Sequence, residues 1–147
     1  MSSDVRIRLY CEADEPSVTE LWGAVFPNPA PRNVPRLVIA QKLATQRELF
    51  FVADANGSVV GTAMGGYDGH RGWLYTVAVH PERQRRGIGR ALVQRLEASL
   101  VALGCQKVNL QVLSSNAAVV GFYERLGYGV EERISMGKLF SGGATPL

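Results

Sequence analysis

Hydrophobic positions change their spacing along the chain, and the changes mark out its elements. Val5, Ile7 and Leu9 alternate with Arg6 and Arg8, the period of a half-buried strand. Asp14 then offers an N-cap and Pro16 a first-turn residue. Val18, Leu21, Trp22 and Val25 follow at i, i+3, i+4, i+7, which predicts a helix. Pro27, Pro29, Pro31 and Pro35 force a loop. A second helix is expected over about Arg36 to Gln46, with Leu37, Ala40, Leu43 and Ala44 on its inner side. Two apolar runs, Leu49 to Ala53 and Val59 to Met64, flank Asn56-Gly57, a strong hairpin signal. Gly65, Gly66, Asp68, Gly69 and Gly72 read as a break, after which Trp73 to Val79 reads as a strand.

The second half continues the pattern. A long helix over about Gly89 to Leu103 should carry Leu92, Leu96, Leu100 and Leu103 inward, with Gly104 closing it. Val108, Leu110 and Val112 alternate with Asn109 and Gln111 in a further strand. A short helix over about Asn116 to Leu126 should end at Gly127. Tyr128 to Ser135 and Met136 to Phe140 would form a last hairpin, and 141–147 a disordered tail. The order β-α-α-β-β-β-α-β-α-β-β predicts an α/β (α+β) fold. Its sheet of six to seven strands would be mixed and mostly antiparallel, with helices on both faces and one parallel pair flanking the long helix. With 147 residues and no dividing linker, 1–147 is expected to be a single domain.

Composition excludes several classes. Hydrophobic residues at 46% and charged residues at 20% are a globular balance. No apolar run nears the ~20 residues of a membrane span, and the opening residues lack the core of a signal peptide, so the expected location is cytoplasmic with no membrane partner. Cys11 and Cys105 stand in no metal or redox spacing and are expected to be reduced. His70 and His80 are isolated, so no metal is expected.

The net charge of +3 implies little, but Arg83, Arg85, Arg86, Arg90 and Arg95 crowd together. A solvated face or a nucleic-acid patch would explain the charge but not the interleaved glycines, so no nucleic-acid partner is expected. Between the strand ending at Val79 and the long helix lies His80-Pro81-Glu82-Arg83-Gln84-Arg85-Arg86-Gly87-Ile88-Gly89-Arg90. A strand-to-helix turn leaves amides unpaired at the positive end of the helix dipole, and glycines let an anion approach them. A Walker loop would need Gly-Lys-Ser/Thr, and a dinucleotide fingerprint a third glycine and a later acidic residue; neither is present.

Gln84-Arg85-Arg86-Gly87-Ile88-Gly89 resembles the Gln/Arg-x-x-Gly-x-Gly/Ala signature of the GNAT acetyltransferase superfamily. Asn116-Ala117-Ala118-Val119-Val120-Gly121-Phe122-Tyr123-Glu124-Arg125-Leu126-Gly127-Tyr128 resembles a second patterned region of that superfamily. Met64 to Gly72 further resembles its small bacterial YpeA-like group. The resemblance implies an acetyl-CoA-dependent N-acetyltransferase acting on a primary amine of a small molecule or protein. It also implies that the parallel strands splay and admit the pantetheine arm. Val77, Ala78 and Val79 would line that arm and Asn116 would approach it from the other side. Arg85, Arg86, Gly87, Ile88, Gly89 and Arg90 would hold the pyrophosphate, with Tyr123 as catalytic acid and the Val79 amide as oxyanion donor.

Simpler roles stand beside these. Asn116 could be a helix cap alone, Tyr123 a packed aromatic, and Tyr67, Asp68, His70 and Tyr75 a glycine-rich loop rather than an acceptor pocket. No glutamate lies on Trp73 to Val79 to serve as base, which leaves water relayed by Tyr67, Asp68, His70 or Tyr75. A base matters most for a lysine-like amine, whose deprotonation at pH 7 costs about 4.6 kcal/mol against about 1.4 for an N-terminal amine. A catalytically silent acyl-CoA-binding regulatory module is the rival function, and a homodimer stays open.

Overall fold

The computed structural model describes residues 4–140, so the expected tail at 141–147 lies outside the described residues. Residues up to Leu110 form one compact unit and those from Gln111 onward a second.

In the first unit, the alternating start forms β1 (Val5–Leu9) and the first apolar stripe forms α1 (Glu15–Val25). Asp14 precedes α1 as expected, yet its carboxylate does not cap that helix. It accepts from the Cys11 amide at 2.9 Å and from both Arg8 terminal nitrogens at 2.8 Å. The second helix, α2 (Pro35–Leu43), starts at Pro35, whose missing N–H costs nothing in a first turn. It buries Ile39 and Lys42, with Val38 and Leu43 partly covered, while Ala40 and Ala44 are exposed. The face expected from Leu37, Ala40, Leu43 and Ala44 is therefore rotated, and a lysine occupies its inner side.

The hairpin forms as the Asn-Gly pair demands. β2 (Phe50–Ala55) and β3 (Ser58–Tyr67) are joined by Asn56 and Gly57, both at positive φ, 52° and 93°. Gly65 and Gly66 do not break the chain but lie inside β3. A Cβ on Gly65 would stand 2.9 Å from Leu96 and one on Gly61 2.9 Å from Leu92, so glycine admits a helix against the strand. The turn itself is Asp68 to Arg71, where the Asp68 carboxylate accepts the His70 and Arg71 amides at 2.8 and 2.7 Å. β4 (Gly72–Val79) follows, then α3 (Ile88–Ala102), which buries Ile88, Leu92, Val93, Leu96 and Leu100. Leu103 falls beyond the helix and is 47% exposed, contrary to its expected inward role. Gly104, at φ 96°, takes the left-handed closing position.

The sheet is mixed, in the order β1-β2-β3-β4-β5, with antiparallel pairs except the parallel β4 and β5. Alternation assigns its faces. Phe50, Val52 and Met64 pack with Val18, Leu21, Trp22 and Ile39 of α1 and α2, and Gly61 and Gly65 face α3.

Among the described residues the sheet has five strands, not six to seven. β5 is only Val108–Asn109, opposite Gly72 and Trp73. A bulge bends β4 beyond that point, so a straight neighbour cannot follow it. The last hairpin does not form over 128–140. Glu131, Glu132 and Arg133 interrupt its alternation, leaving no continuous apolar face, and a lone two-stranded ribbon is marginal in water.

The second unit contains α4 (Ala117–Arg125). Its C-terminus closes by the Gly127 amide to the Glu124 carbonyl and the Tyr128 amide to the Tyr123 carbonyl, both 3.0 Å, with Gly127 at φ 96°. This is a Schellman closure, and it brings Tyr128 onto Tyr123.

Candidate acetyl-CoA site

β4 is irregular where the site begins. Met64 opposes Tyr75 and Thr62 opposes Ala78, so Thr76 and Val77 share one place opposite β3. Thr76 has φ 50°, a left-handed conformation that a β-branched residue adopts only when its surroundings impose it. The buried Thr62 hydroxyl supplies part of that constraint, donating to the Thr76 carbonyl at 3.1 Å and accepting the Trp22 indole N–H at 2.9 Å.

Past the bulge, His80 gives its amide to Val60 of β3 at 2.8 Å. By the alternation of an antiparallel ladder, the polar groups of Val77 and Val79 face the opposite edge, which β5 leaves unpaired in this unit. Ala78 is buried between them. The result is a stretch of β4 beyond Trp73 whose outer edge β5 does not pair.

The chain then turns through Pro81–Arg83, where His80 Nδ1 accepts the Glu82 amide at 3.1 Å. Gln84 Nε2 donates to the Val79 carbonyl at 3.3 Å, tying the turn to the strand. Arg85 and Gly87 are both left-handed, at φ 64° and 81°, and Ile88, 1% exposed, anchors the start of α3 in the core. Gly87 caps α3 without a side chain, and the first return bond within the helix is Ala91 to Gly87. The Ile88, Gly89 and Arg90 amides thus have no helical acceptor and point outward at the positive dipole end. Arg85, Arg86 and Arg90 are exposed, and among the described residues no carboxylate pairs with them. Arg83 stands apart, 3.9 Å from Asp4. A diphosphate suits this cradle of free amides and unpaired guanidinium groups.

In the second unit, Asn116 caps α4, its Oδ1 accepting the Val119 amide at 3.3 Å. Tyr123 lies two turns on, 8% exposed, edge-on to Phe122 and Tyr128 with centroids 4.9 and 5.6 Å away. Burial pushes its hydroxyl up to about 12, so it stays protonated at neutral pH, as a proton donor must.

The Acetyltransferase (GNAT) family profile matches residues 15–128, across both units. The chain belongs to the GNAT family. An acetyltransferase of Yersinia pestis (strain Pestoides F) is 44% identical over 134 residues, covering 91% of this chain and 94% of that protein. A Trypanosoma brucei acetyltransferase structure aligns with TM-score 0.70 and 26% identity, covering 92% of this chain and all of its own. The ribosomal-protein-S18-alanine N-acetyltransferase from Escherichia coli gives TM-score 0.70 and 28% identity over 84% of this chain and 76% of that one. This GNAT protein is an acetyl-CoA-dependent N-acetyltransferase that moves an acetyl group to an amine.

Of the four residues, Tyr67 ends β3, Tyr75 lies in β4, and Asp68 and His70 sit in the turn between them. Tyr67 donates its hydroxyl to the Gly69 carbonyl at 3.3 Å and Asp68 holds the turn, whereas Tyr75 turns toward α2. There it meets Lys42, which sequence reasoning missed. Lys42 Nζ donates to the Gly65 carbonyl and, at 3.0 Å, to the Tyr75 hydroxyl, and lies 5.4 Å from the ring centroid. The available signal was its spacing, three residues from Ile39 on the buried stripe.

Proposed function

We propose that the GNAT reaction uses the opening beside β4 for the pantetheine arm of acetyl-CoA and the turn into α3 for its pyrophosphate. The observation that carries this reading is the continuity between an unpaired strand edge and a glycine-capped helix start. Val77, Ala78 and Val79 line the arm, and Arg85, Arg86, Gly87, Ile88, Gly89 and Arg90 hold the diphosphate. Asn116 contacts the pantetheine through whatever bonding capacity its capping role leaves.

Catalysis then needs an aligned amine, a donor for the developing oxyanion and an acid for the departing thiolate. The Val79 amide serves as oxyanion donor. Tyr123 gives its proton to sulfur as the carbon–sulfur bond breaks. Both units act as one acetyltransferase domain over 1–147.

The acceptor is a primary amine of a small molecule or a protein end, in the cytoplasm, and the chain falls in the YpeA-like group. The family match spanning both units supports the amine acceptor, the subgroup rests on the resemblance of Met64 to Gly72, and among the described residues no helix is long and apolar enough to cross a membrane. A silent acyl-CoA-binding regulator has less support, because the curated relatives are named acetyltransferases. Free-thiol release from acetyl-CoA across a panel of amines tests the function. Release stimulated by at least one amine is expected, and CoA binding with no stimulated release would favour the regulator. Light scattering on the same sample distinguishes monomer from homodimer.

A further inference from the structure

Several ionisable groups of the first unit have structural duties. Asp14 and Asp54 hold Arg8, Glu12 holds Arg47, Asp68 holds a turn and His80 caps another. Lys42 and Tyr75 differ. Lys42 is 5% exposed, yet no carboxylate of the described residues forms an ion pair with it. Its amine is enclosed by the Gly65 carbonyl and the Tyr75 hydroxyl, which itself donates to that carbonyl at 3.2 Å. Tyr75 is 41% exposed, so the pair reaches from the interior to the surface. Tyr75 also directly precedes the bulge at Thr76 and Val77, in the strand whose edge is assigned to the pantetheine arm. Tyr75 carries the one ionisable side chain of Gly72–Val79, and burial pushes its hydroxyl above its ordinary value, so it stays protonated at neutral pH and must pass a proton on as it takes one.

We propose that the Tyr75 hydroxyl, backed by the Lys42 amine, takes the proton released by the attacking amine during acetyl transfer. As the new carbon–nitrogen bond forms, an N–H bond of the acceptor breaks and its proton passes to the Tyr75 oxygen. For this step the Tyr75 hydroxyl turns from the Gly65 carbonyl to donate to neutral Lys42, whose lone pair takes the hydroxyl proton and becomes an ammonium. The electron pair of the broken carbon–sulfur bond leaves with sulfur, and Lys42 returns its proton to water after product departs. Tyr75 is the group that touches substrate, and Lys42 acts through it.

The neutral lysine this requires is accessible, since burial pushes the Lys42 ammonium down to about 8. At pH 7 about a tenth of such a group is neutral. Glu48, in the turn leading to β2, opposes the shift weakly; Tyr75 of β4 is the titratable group in contact, and β3 contributes the Gly65 carbonyl.

This inference rests on the acetyl-CoA opening proposed above, and its test separates the two. Thiol release from acetyl-CoA is followed from about pH 7 to about 10, with hydroxylamine, at least about nine-tenths uncharged over that range, and with water alone as nucleophile. CoA affinity is measured by calorimetry on the same proteins. The wild type should bind CoA and its kcat/KM should rise to a plateau past about pH 8. Tyr75→Phe and Lys42→Arg should bind CoA equally well, lose that rise, and fall about 10²-fold at the plateau. Arginine keeps charge and donors, so it would rescue a merely structural lysine. A wild-type profile in either variant overturns the relay while leaving the opening intact, and a wild type that binds no CoA removes the opening and the relay with it. Should Lys42→Arg fail to fold, the half-exposed Tyr75→Phe decides alone.

Discussion

Trp22 donates its indole N–H to the Thr62 hydroxyl at 2.9 Å, joining α1 to the strand opposite the β4 bulge. Since Thr62 passes its own proton to the Thr76 carbonyl, Thr62→Val leaves a buried donor and a strand carbonyl without partners. We expect a loss of about 1–3 kcal/mol in chemical unfolding. The KM for acetyl-CoA should rise as well, because the bulge aims the open edge of Val77 and Val79. Unchanged stability would show that water replaces the hydroxyl.

Gly65 lets α3 approach β3 closely. Its missing Cβ would stand 2.9 Å from Leu96 Cδ1 and 3.0 Å from the Trp73 carbonyl oxygen. The leucine can turn aside but the carbonyl is fixed in the sheet, so Gly65→Ala should destabilise by about 1–3 kcal/mol. Thermal or urea unfolding reads this directly, and a neutral result would mean the strand can shift without cost.

That glycine also shows where sequence reading stops. Asn56-Gly57 was legible because its turn requires positive φ at both positions, a local demand. The α3 start was legible because Gly87 and Gly89 have no other use between arginines. Gly65 and Gly66 looked like a chain break, and only the tertiary approach of Leu96 explains the first of them. Lys42 was hidden for the same reason: a lysine on a helix reads as solvated unless its neighbours across the sheet are known. β5 came out shorter than its alternation and the last hairpin did not form, because alternation signals a strand without saying whether a partner lies beside it.

Arg8 holds the Asp14 carboxyl below the usual carboxylate range, mainly through direct hydrogen bonds, with burial opposing. A depressed folded value means the ionised pair stabilises above about pH 4 and that this contribution fades as pH falls through the folded value. Asp14→Asn should therefore cost about 1.5–3 kcal/mol at pH 7. The gap between variant and wild type should narrow in acid, measured by urea unfolding at several pH values. A gap independent of pH would assign the loss to packing.

Tyr123→Phe should lower kcat and kcat/KM together while leaving acetyl-CoA affinity nearly unchanged, since the hydroxyl acts only as charge develops on sulfur. A drop of about 10²-fold is expected, the lower end for an acid, because a thiolate leaves readily. Steady-state kinetics with the best amine acceptor provides the check. Equal kcat in the variant across pH would reduce Tyr123 to packing between Phe122 and Tyr128.

The central claim is that acetyl-CoA is held where β4 passes into α3, and calorimetric titration of CoA into wild type and Gly89→Val tests it most directly. Gly89 sits in the first turn of α3, where valine branches would fill the space beside the outward amides. The wild type should bind CoA and Gly89→Val should lose at least about tenfold in affinity, with Arg86→Ala losing less. Wild-type affinity in a folded Gly89→Val protein would contradict the account and place the diphosphate elsewhere.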